Sequence, residues 1–334
     1  MEKKQHLTIQ DIAQIAGVSI STVSRVLNNT APVSKSTRNR ILKVIQQTGF
    51  SPNAMARGLR LGSKTVGIVI PDITNQFFVE FVKGVEEILL SEGYSLFIAN
   101  EDWDAAKRAH YIQQMIERRV EGVITFGNFD EQTFKVLRDH HVKIVSNEND
   151  NASVNSVQTD NRKGGFLATE HLIQNGHARI AVFGYTNQEA WQQERLLGYE
   201  DALLYYNIPF DGALVFTANP FGNPGYELTK QVLQSDMPPT AVFAMVDAIA
   251  IGVYQAADEL GVRIPEQLSV IGFDNISLCT LLHPKLTTVA QPIHELGRES
   301  AKMLIDDIQT GTEQSPRKLV LPVQLVIRDS TAKL

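Results

Sequence analysis

The sequence has a single cysteine, Cys279, in 334 residues, which excludes an intrachain disulfide and a cysteine metal cluster. No apolar run reaches the roughly 18 residues of a membrane span. The first ten residues, MEKKQHLTIQ, lack the apolar stretch of a signal peptide. A cytoplasmic protein away from membranes is therefore expected. The phosphate-cradling G-x-x-x-x-G-K-[ST] loop, a G-x-G-x-x-G after a strand, H-E-x-x-H and G-x-S-x-G are all missing. His140, His141, His171, His177 and His294 lie near helix ends and read as structural or solvated. Neither an enzyme nor a cofactor or metal is expected.

What is present begins with charge. The chain carries −6 overall, which by itself argues against nucleic acid. The distribution argues the other way. Residues 1–62 hold nine Lys and Arg against Glu2 and Asp11, a balance of +7, which leaves −13 on the remainder. A basic head on an acidic body suits one part that seeks phosphate while the rest is repelled by it.

The head is patterned as helices. Thr8 followed by Asp11 resembles a capping box, Ile12, Ala13 and Ala16 share a face, and Gly17 closes the turn. Ser19 then starts a second helix with Thr22, Val23, Val26 and Leu27 inward and Ile20, Ser21, Ser24, Arg25 and Asn28 outward. That is the layout of a helix-turn-helix, whose second helix enters the major groove. A third helix is expected over 34–48, capped by Ser34, buried through Ile41, Leu42 and Ile45, and ended by Gly49. Residues 51–62 are short and helix-compatible. Gly58 lowers helical stability there by about 1 kcal/mol relative to Ala, so the segment is expected to fold only against a partner.

From Thr65 the texture changes to repeated βα units. Apolar runs at 66–70, 94–99, 120–126, 143–145, 179–183, 213–216, 241–244 and 268–273 alternate with stretches of helical length. The helical stretches are 76–91, 105–118, 131–140, 162–175, 189–206, 225–235, 248–260 and 293–309. Such alternation implies parallel sheets covered on both faces. Eight strands before Thr287 suit two sheets, breaking near Asp160–Gly165, with a ligand cleft between them.

Several motifs occur in order: TIQDIAQIAGVSISTVSRVLNN, SPNAMARGL, IVIPDITNQFF, VQTDNRKGG, HLIQNGHARIAVF, ERLLGYEDAL, VIGFDN, HPKLTTVAQPIHELGRESAKML and LPVQLVIRDST. In these the chain resembles the lactose/galactose repressor family of bacterial transcription regulators over nearly its whole length. The resemblance implies a helical DNA-binding head at 1–50, a hinge at 51–63 and a core at 64–334 of two parallel-sheet lobes like those of periplasmic binding proteins. The first lobe would span about 64–162 and 292–321, and the second about 163–291 and 322–334. It also implies a homodimer that grips a near-palindromic duplex operator under the control of a small-molecule effector. A solute-binding protein without DNA function is the alternative, opposed by the basic head and the missing signal peptide. An effector change in operator affinity would be worth about 1–3 kcal/mol. Release or tightening on effector, and a phosphorylated carrier protein as corepressor, stay open.

By the same resemblance, Ile20, Ser21 and Arg25 would read base edges, Arg25 through O6 and N7 of guanine; a phosphate contact is its alternative. Thr8, Ser19, Thr22, Ser24, Asn28, Ser34, Thr37 and Asn53 would position the head on the duplex. Ala56 and Leu59 would enter the minor groove from the hinge, with linker packing the alternative for Leu59. In the core, Arg195 and Asp274 would grip polar ligand atoms, the alternatives being a surface salt bridge and a turn. Phe77, Phe78 and Phe221 would flank a ring or serve as core, and Glu148 would accept from hydroxyls. Where the family reads A-N-D at a strand end, this chain has Met245-Val246-Asp247. The valine makes that wall apolar, which counts against a plain hexose and leaves a nucleoside, a modified sugar or a sugar acid.

Overall fold

The computed structural model describes residues 7–28, 30–50, 63–127, 129–148, 151–186, 189–311 and 315–334. These fall in two compact units that divide between Ser63 and Lys64.

The first unit is all helix: α1 (Ile9–Ala16), α2 (Ile20–Asn28) and α3 (Lys35–Thr48). Thr8 caps α1 reciprocally. The Asp11 amide donates to Thr8 Oγ1 at 3.3 Å and the Thr8 amide to Asp11 Oδ2 at 2.7 Å. Gly17 takes the left-handed conformation (φ 62°) that turns α1 into α2 without a Cβ penalty. Ile12, Ala13, Ala16, Val23, Val26, Ile41 and Val44 make the core. Leu42 is a correction. It is 46% exposed, and Val44 supplies the third-helix contact instead. Leu42 sits about 100° round the helix from Ile41, whereas position 44, three residues on, shares its face.

The second unit holds two six-stranded sheets. The first, ordered β11-β5-β4-β3-β1-β2, is built from β1 (Thr65–Ile70), β2 (Ser95–Asn100), β3 (Gly122–Phe126), β4 (Lys143–Asn147), β5 (Asn155–Thr159) and β11 (Lys318–Leu321), all parallel. The second, ordered β12-β10-β9-β8-β6-β7, holds β6 (Ile180–Tyr185), β7 (Val215–Ala218), β8 (Ala241–Ala244), β9 (Ser269–Asp274), β10 (Thr287–Ala290) and β12 (Gln324–Val326). Only β12, paired with β10, runs antiparallel among the described ladders. The chain passes from the first lobe to the second after β5, back after β10, and across again between β11 and β12.

Helices α4 (Gln76–Ser91), α5 (Ala105–Glu117), α6 (Glu131–Asp139) and α11 (Ile293–Thr310) belong to the first lobe. The second has α7 (Asn161–Gln174), α8 (Ala190–Tyr205), α9 (Pro224–Leu233) and α10 (Asp247–Leu260). Short polar side chains start most of them. Asn75, Asp104, Asp130, Asp160 and Asn223 each accept from a first-turn amide. Strands β5, β10, β11 and β12 have no counterpart among the apolar runs. Sequences such as NSVQT and TTVA carry hydroxyl and amide groups that are satisfied by side-chain bonds. The Thr287 amide, for instance, donates to the Ser330 hydroxyl oxygen at 2.7 Å. Helices α7 and α8 cross so closely that a Cβ at Gly165 would collide with the Arg195 carbonyl, and one at Gly198 with the Arg162 carbonyl.

Candidate DNA-binding head and ligand cleft

On the head, α2 presents Ile20, Ser21 and Arg25 to solvent, with Thr22 and Ser24 half-buried. Positions 20 and 24, and 21 and 25, are successive turns of one face. Ser19 Oγ takes the Thr22 amide at 3.2 Å and lies 2.8 Å from the hydroxyls of both Ser21 and Thr22. Ser34 caps α3 by accepting from the Thr37 amide at 3.3 Å, and Ser34 Oγ donates to Thr37 Oγ1 at 2.8 Å. The hydroxyls at both helix starts are thus ordered beside amides, a combination suited to phosphate oxygens. Among the described head residues, exposed Arg25, Lys35, Arg38, Arg40 and Lys43 face one carboxylate, Asp11, which is spent on the Thr8 cap. The side chain of Asn28, and Asn53, Ala56 and Leu59 entirely, lie outside the described residues.

In the core, a cavity of about 510 Å³, open mouth included, lies at the carboxyl ends of the strands of both lobes. Its first-lobe wall includes Phe77, Phe78, Phe126, Trp103 and Glu148; its second-lobe wall includes Tyr185, Trp191, Arg195, Val246 and Asp274, with Gln291 at the second crossing. Phe77, Phe78 and Phe126 pack edge-on, with centroids 5.1–5.8 Å apart. Across the cleft, Trp103 and Tyr185 have centroids 5.9 Å apart, and Tyr185 lies 6.4 Å from Trp191.

The polar groups form a closed ring through two of the interlobe crossings. Glu148 Oε1 accepts from the Thr159 amide at 3.1 Å and lies 3.1 Å from its hydroxyl. Thr159 Oγ1 is 2.7 Å from Gln291 Oε1, and Gln291 Nε2 donates to Asp274 Oδ1 at 2.7 Å. Arg195 Nη1 sits 3.8 Å from Asp274 Oδ1, while its Nε donates to Asn161 Oδ1 at 2.8 Å. The Asn161 amide closes the circuit by donating to Glu148 Oε2. Arg195 also donates to the Met245 carbonyl, and its guanidinium lies 3.5 Å from the centre of the Phe273 ring and 4.5 Å from that of Trp191.

Burial governs the charges here. It raises the Glu148 carboxyl against the pull of Arg195. It raises Asp274 well above the usual carboxylate range; Arg195 pulls it down and nearby Asp247 pushes it further up. Asp247 is pushed up to about 6 by burial, despite hydrogen bonds from Cys279 and Thr288. Arg195 is lowered by burial to about 10, with Asp274 and Glu148 opposing the drop.

One expected wall residue is absent from this cavity. Phe221 is 58% exposed, because its amide donates to Asn219 Oδ1 at 2.9 Å and Gly222 follows at φ 92°, which turns the loop outward. Trp103, Tyr185 and Trp191 supply the flat surfaces instead. The sequence held one unused signal for them: the chain has two tryptophans, and both line the cavity. Gln291, Thr159 and Asn161 carried no signal beyond their place in longer motifs. The histidines stand apart from the cavity; His177 is buried between the hydroxyls of Thr240 (2.9 Å) and Ser269 (3.0 Å).

Comparison with known proteins places these features. Residues 8–53 match the family described as bacterial regulatory proteins, lacI family, and residues 169–331 match a periplasmic binding protein-like domain. Catabolite control protein A of Priestia megaterium is 34% identical over 332 residues, 98% of this chain and 99% of its own length. A LacI family transcriptional regulator from Enterococcus faecium with bound ribose aligns at a TM-score of 0.75 and 35% identity, over 81% of this chain and 99% of that one. The lac repressor dimer bound to operator and the anti-inducer ONPF aligns at 0.85 and 25% identity, over 98% of this chain and 100% of that one. These relatives are transcription regulators, not enzymes. No helix among the described residues is long and apolar enough to cross a membrane.

Proposed function

Because the chain belongs to the lacI family of DNA-binding transcription regulators, we propose that it acts as a homodimeric repressor whose hold on a near-palindromic operator is tuned by a small metabolite in the cleft. The observation that carries this reading is the pairing of an outward α2 face with a separate, built ligand cavity in one chain. Base-edge readout falls to Ile20, Ser21 and Arg25. Ser19, Ser24, Ser34 and Thr37, with Thr8 and Thr22 in support, fix the head on phosphates. Residues 51–63, with Asn53, Ala56 and Leu59, join the two units and engage the duplex between two heads.

In the cleft, Arg195 and Asp274 bind the polar part of the effector, and Glu148 accepts from its donors. The ring from Glu148 to Asp274 ties the ligand to two of the chain crossings, so ligand-driven movement of the lobes is felt on the first lobe, which the hinge enters. The ribose-bound relative supports a ligand with several hydroxyls. The operator-bound dimer supports paired heads on DNA. The test is operator binding by fluorescence anisotropy, with and without a ligand found by thermal shift. A change of about 5–150-fold in operator affinity is expected; no change at saturating ligand sinks the reading.

A further inference from the structure

Resting on that reading, we infer that Glu121 is a positioning residue for DNA binding. It fixes the direction in which residues 51–63 leave the core, and so sets the half-site separation that the homodimer accepts. Two observations at one joint carry this.

The first is the joint itself. Lys64 opens the second unit directly ahead of β1, and β1 lies between β2 and β3 in its sheet. Tyr94 directly precedes β2 and Glu121 directly precedes β3, so the three residues meet at the amino end of the sheet. The Lys64 amide donates to Glu121 Oε1 at 2.7 Å, and the Tyr94 hydroxyl donates to Glu121 Oε2 at 3.2 Å. Lys64 Nζ lies 4.1 Å from the centre of the Tyr94 ring. Tyr94 is buried, and burial beside Glu121 pushes its hydroxyl up to about 12, which keeps it a donor at neutral pH.

The second is the backbone at Lys64. It stands at φ 49°, a conformation that lysine rarely adopts without support. Its carbonyl is already held by the ladder, since it accepts from the Ser95 amide at 2.7 Å. What Glu121 adds is a hold on the Lys64 amide, the group that leads back into residues 51–63. An amide that donates to an ionised carboxylate makes the stronger class of hydrogen bond. Without that acceptor, φ of Lys64 relaxes and the exit direction relaxes with it. From this joint β1 runs to Pro71 at the cavity, about 23 Å away by strand rise. The linker and the ligand cleft thus lie at the two ends of one strand.

The test is DNA binding by the full chain, read by fluorescence anisotropy. The probes are the duplex that it selects from a random pool and versions with one base pair removed or added midway between the half-sites. Each such step moves the half-sites by about 3.4 Å and turns them by about 35°. The wild type should lose about 10–100-fold on the altered spacings, because its two heads no longer engage together. In Glu121→Ala that penalty should shrink by at least about 3-fold, since a loosened exit lets both heads reach. Glu121→Gln, whose amide oxygen still accepts from the Lys64 amide, should keep the wild-type penalty. A purely structural role would weaken all spacings alike and leave their ratio unchanged. Tyr94→Phe, which keeps the ring and removes the donor, should shrink the penalty in the same direction, and it carries the test if Glu121→Ala does not fold. A wild-type ratio in the folded variants overturns the inference and leaves the paired-head reading standing. A wild type that binds all spacings equally overturns that reading and this inference with it.

Discussion

Gln76, at the start of α4, accepts a hydrogen bond from the hydroxyl of Ser277 at 2.9 Å, and the two residues belong to different lobes. The bond lies at the protein surface, and Gln76 falls between the cavity-lining residues Asn75 and Phe77. A bond of this kind contributes about 0.5–1.5 kcal/mol. Gln76→Ala is therefore expected to weaken effector binding by roughly 2–10-fold through loss of the lobe-to-lobe contact. Calorimetry checks this, and an unchanged Kd would remove the contact from the account.

Arg195 depends on the close crossing of α7 and α8. Gly165→Ala forces the Arg195 backbone outward, since the new methyl would collide with its carbonyl. Overpacking of this kind costs about 1–3 kcal/mol. The thermal midpoint of the core should fall, and ligand affinity should fall with it, while operator binding by the head persists. A variant with wild-type ligand affinity would show that Arg195 is not placed by this contact.

Asp274 stands at φ 126° with Asn275 at 63°, so its carboxyl is aimed by a backbone form that few side chains adopt. Asp274→Ala should keep operator binding and lose the effector response, read as anisotropy with and without ligand. A normal response in that variant would remove Asp274 from the pocket.

His177 gives a pH dependence of known sign. Burial lowers its pKa from the ordinary 6.5. The folded form therefore prefers the neutral ring, and its contribution to stability is full above pH 6.5 and is lost as pH falls toward the folded value. Melting scans between about pH 7.5 and 5 should show the midpoint dropping on the acid side, with a shallower drop in His177→Asn. Asp247 acts oppositely. Its pKa is raised from 3.8 to about 6, so its contribution is present at low pH and lost as pH rises through that interval. A His177→Asn profile parallel to wild type would contradict the assignment.

Much of this architecture is written locally, and some of it is not. The starts of α1 and α3 were legible because Thr8 and Ser34 cap by bonds within their own turn. The central strands were legible because residues such as Ile68, Val242 and Ile271 are buried and apolar. Strand β5 was not, since Gln158 and Thr159 are buried polar residues and Thr159 is satisfied by Glu148 and Gln291, 11 and 132 residues away. Arg195 and Asp274 were reached through a resemblance rather than through any local pattern. Trp103 and Gln291 were missed because what makes them wall residues is the meeting of two lobes, which no short window contains. Phe221 failed for the converse reason: its aromatic character was visible, but the Asn219 turn that points it outward was not.

Arg25 bears on the central claim most directly. It is exposed on the outward face of α2, where a guanidinium can pair with guanine and be worth about 1–3 kcal/mol of discrimination. The decisive measurement is selection from a random duplex pool, at about 150 mM salt, by the full chain and by Arg25→Lys, which keeps the charge but lacks the fork. The wild type should enrich one near-palindromic site, and Arg25→Lys should bind DNA with that preference lost or altered at one symmetric pair of positions. A wild type that enriches no sequence, or a lysine variant that selects the same site equally well, would contradict the account.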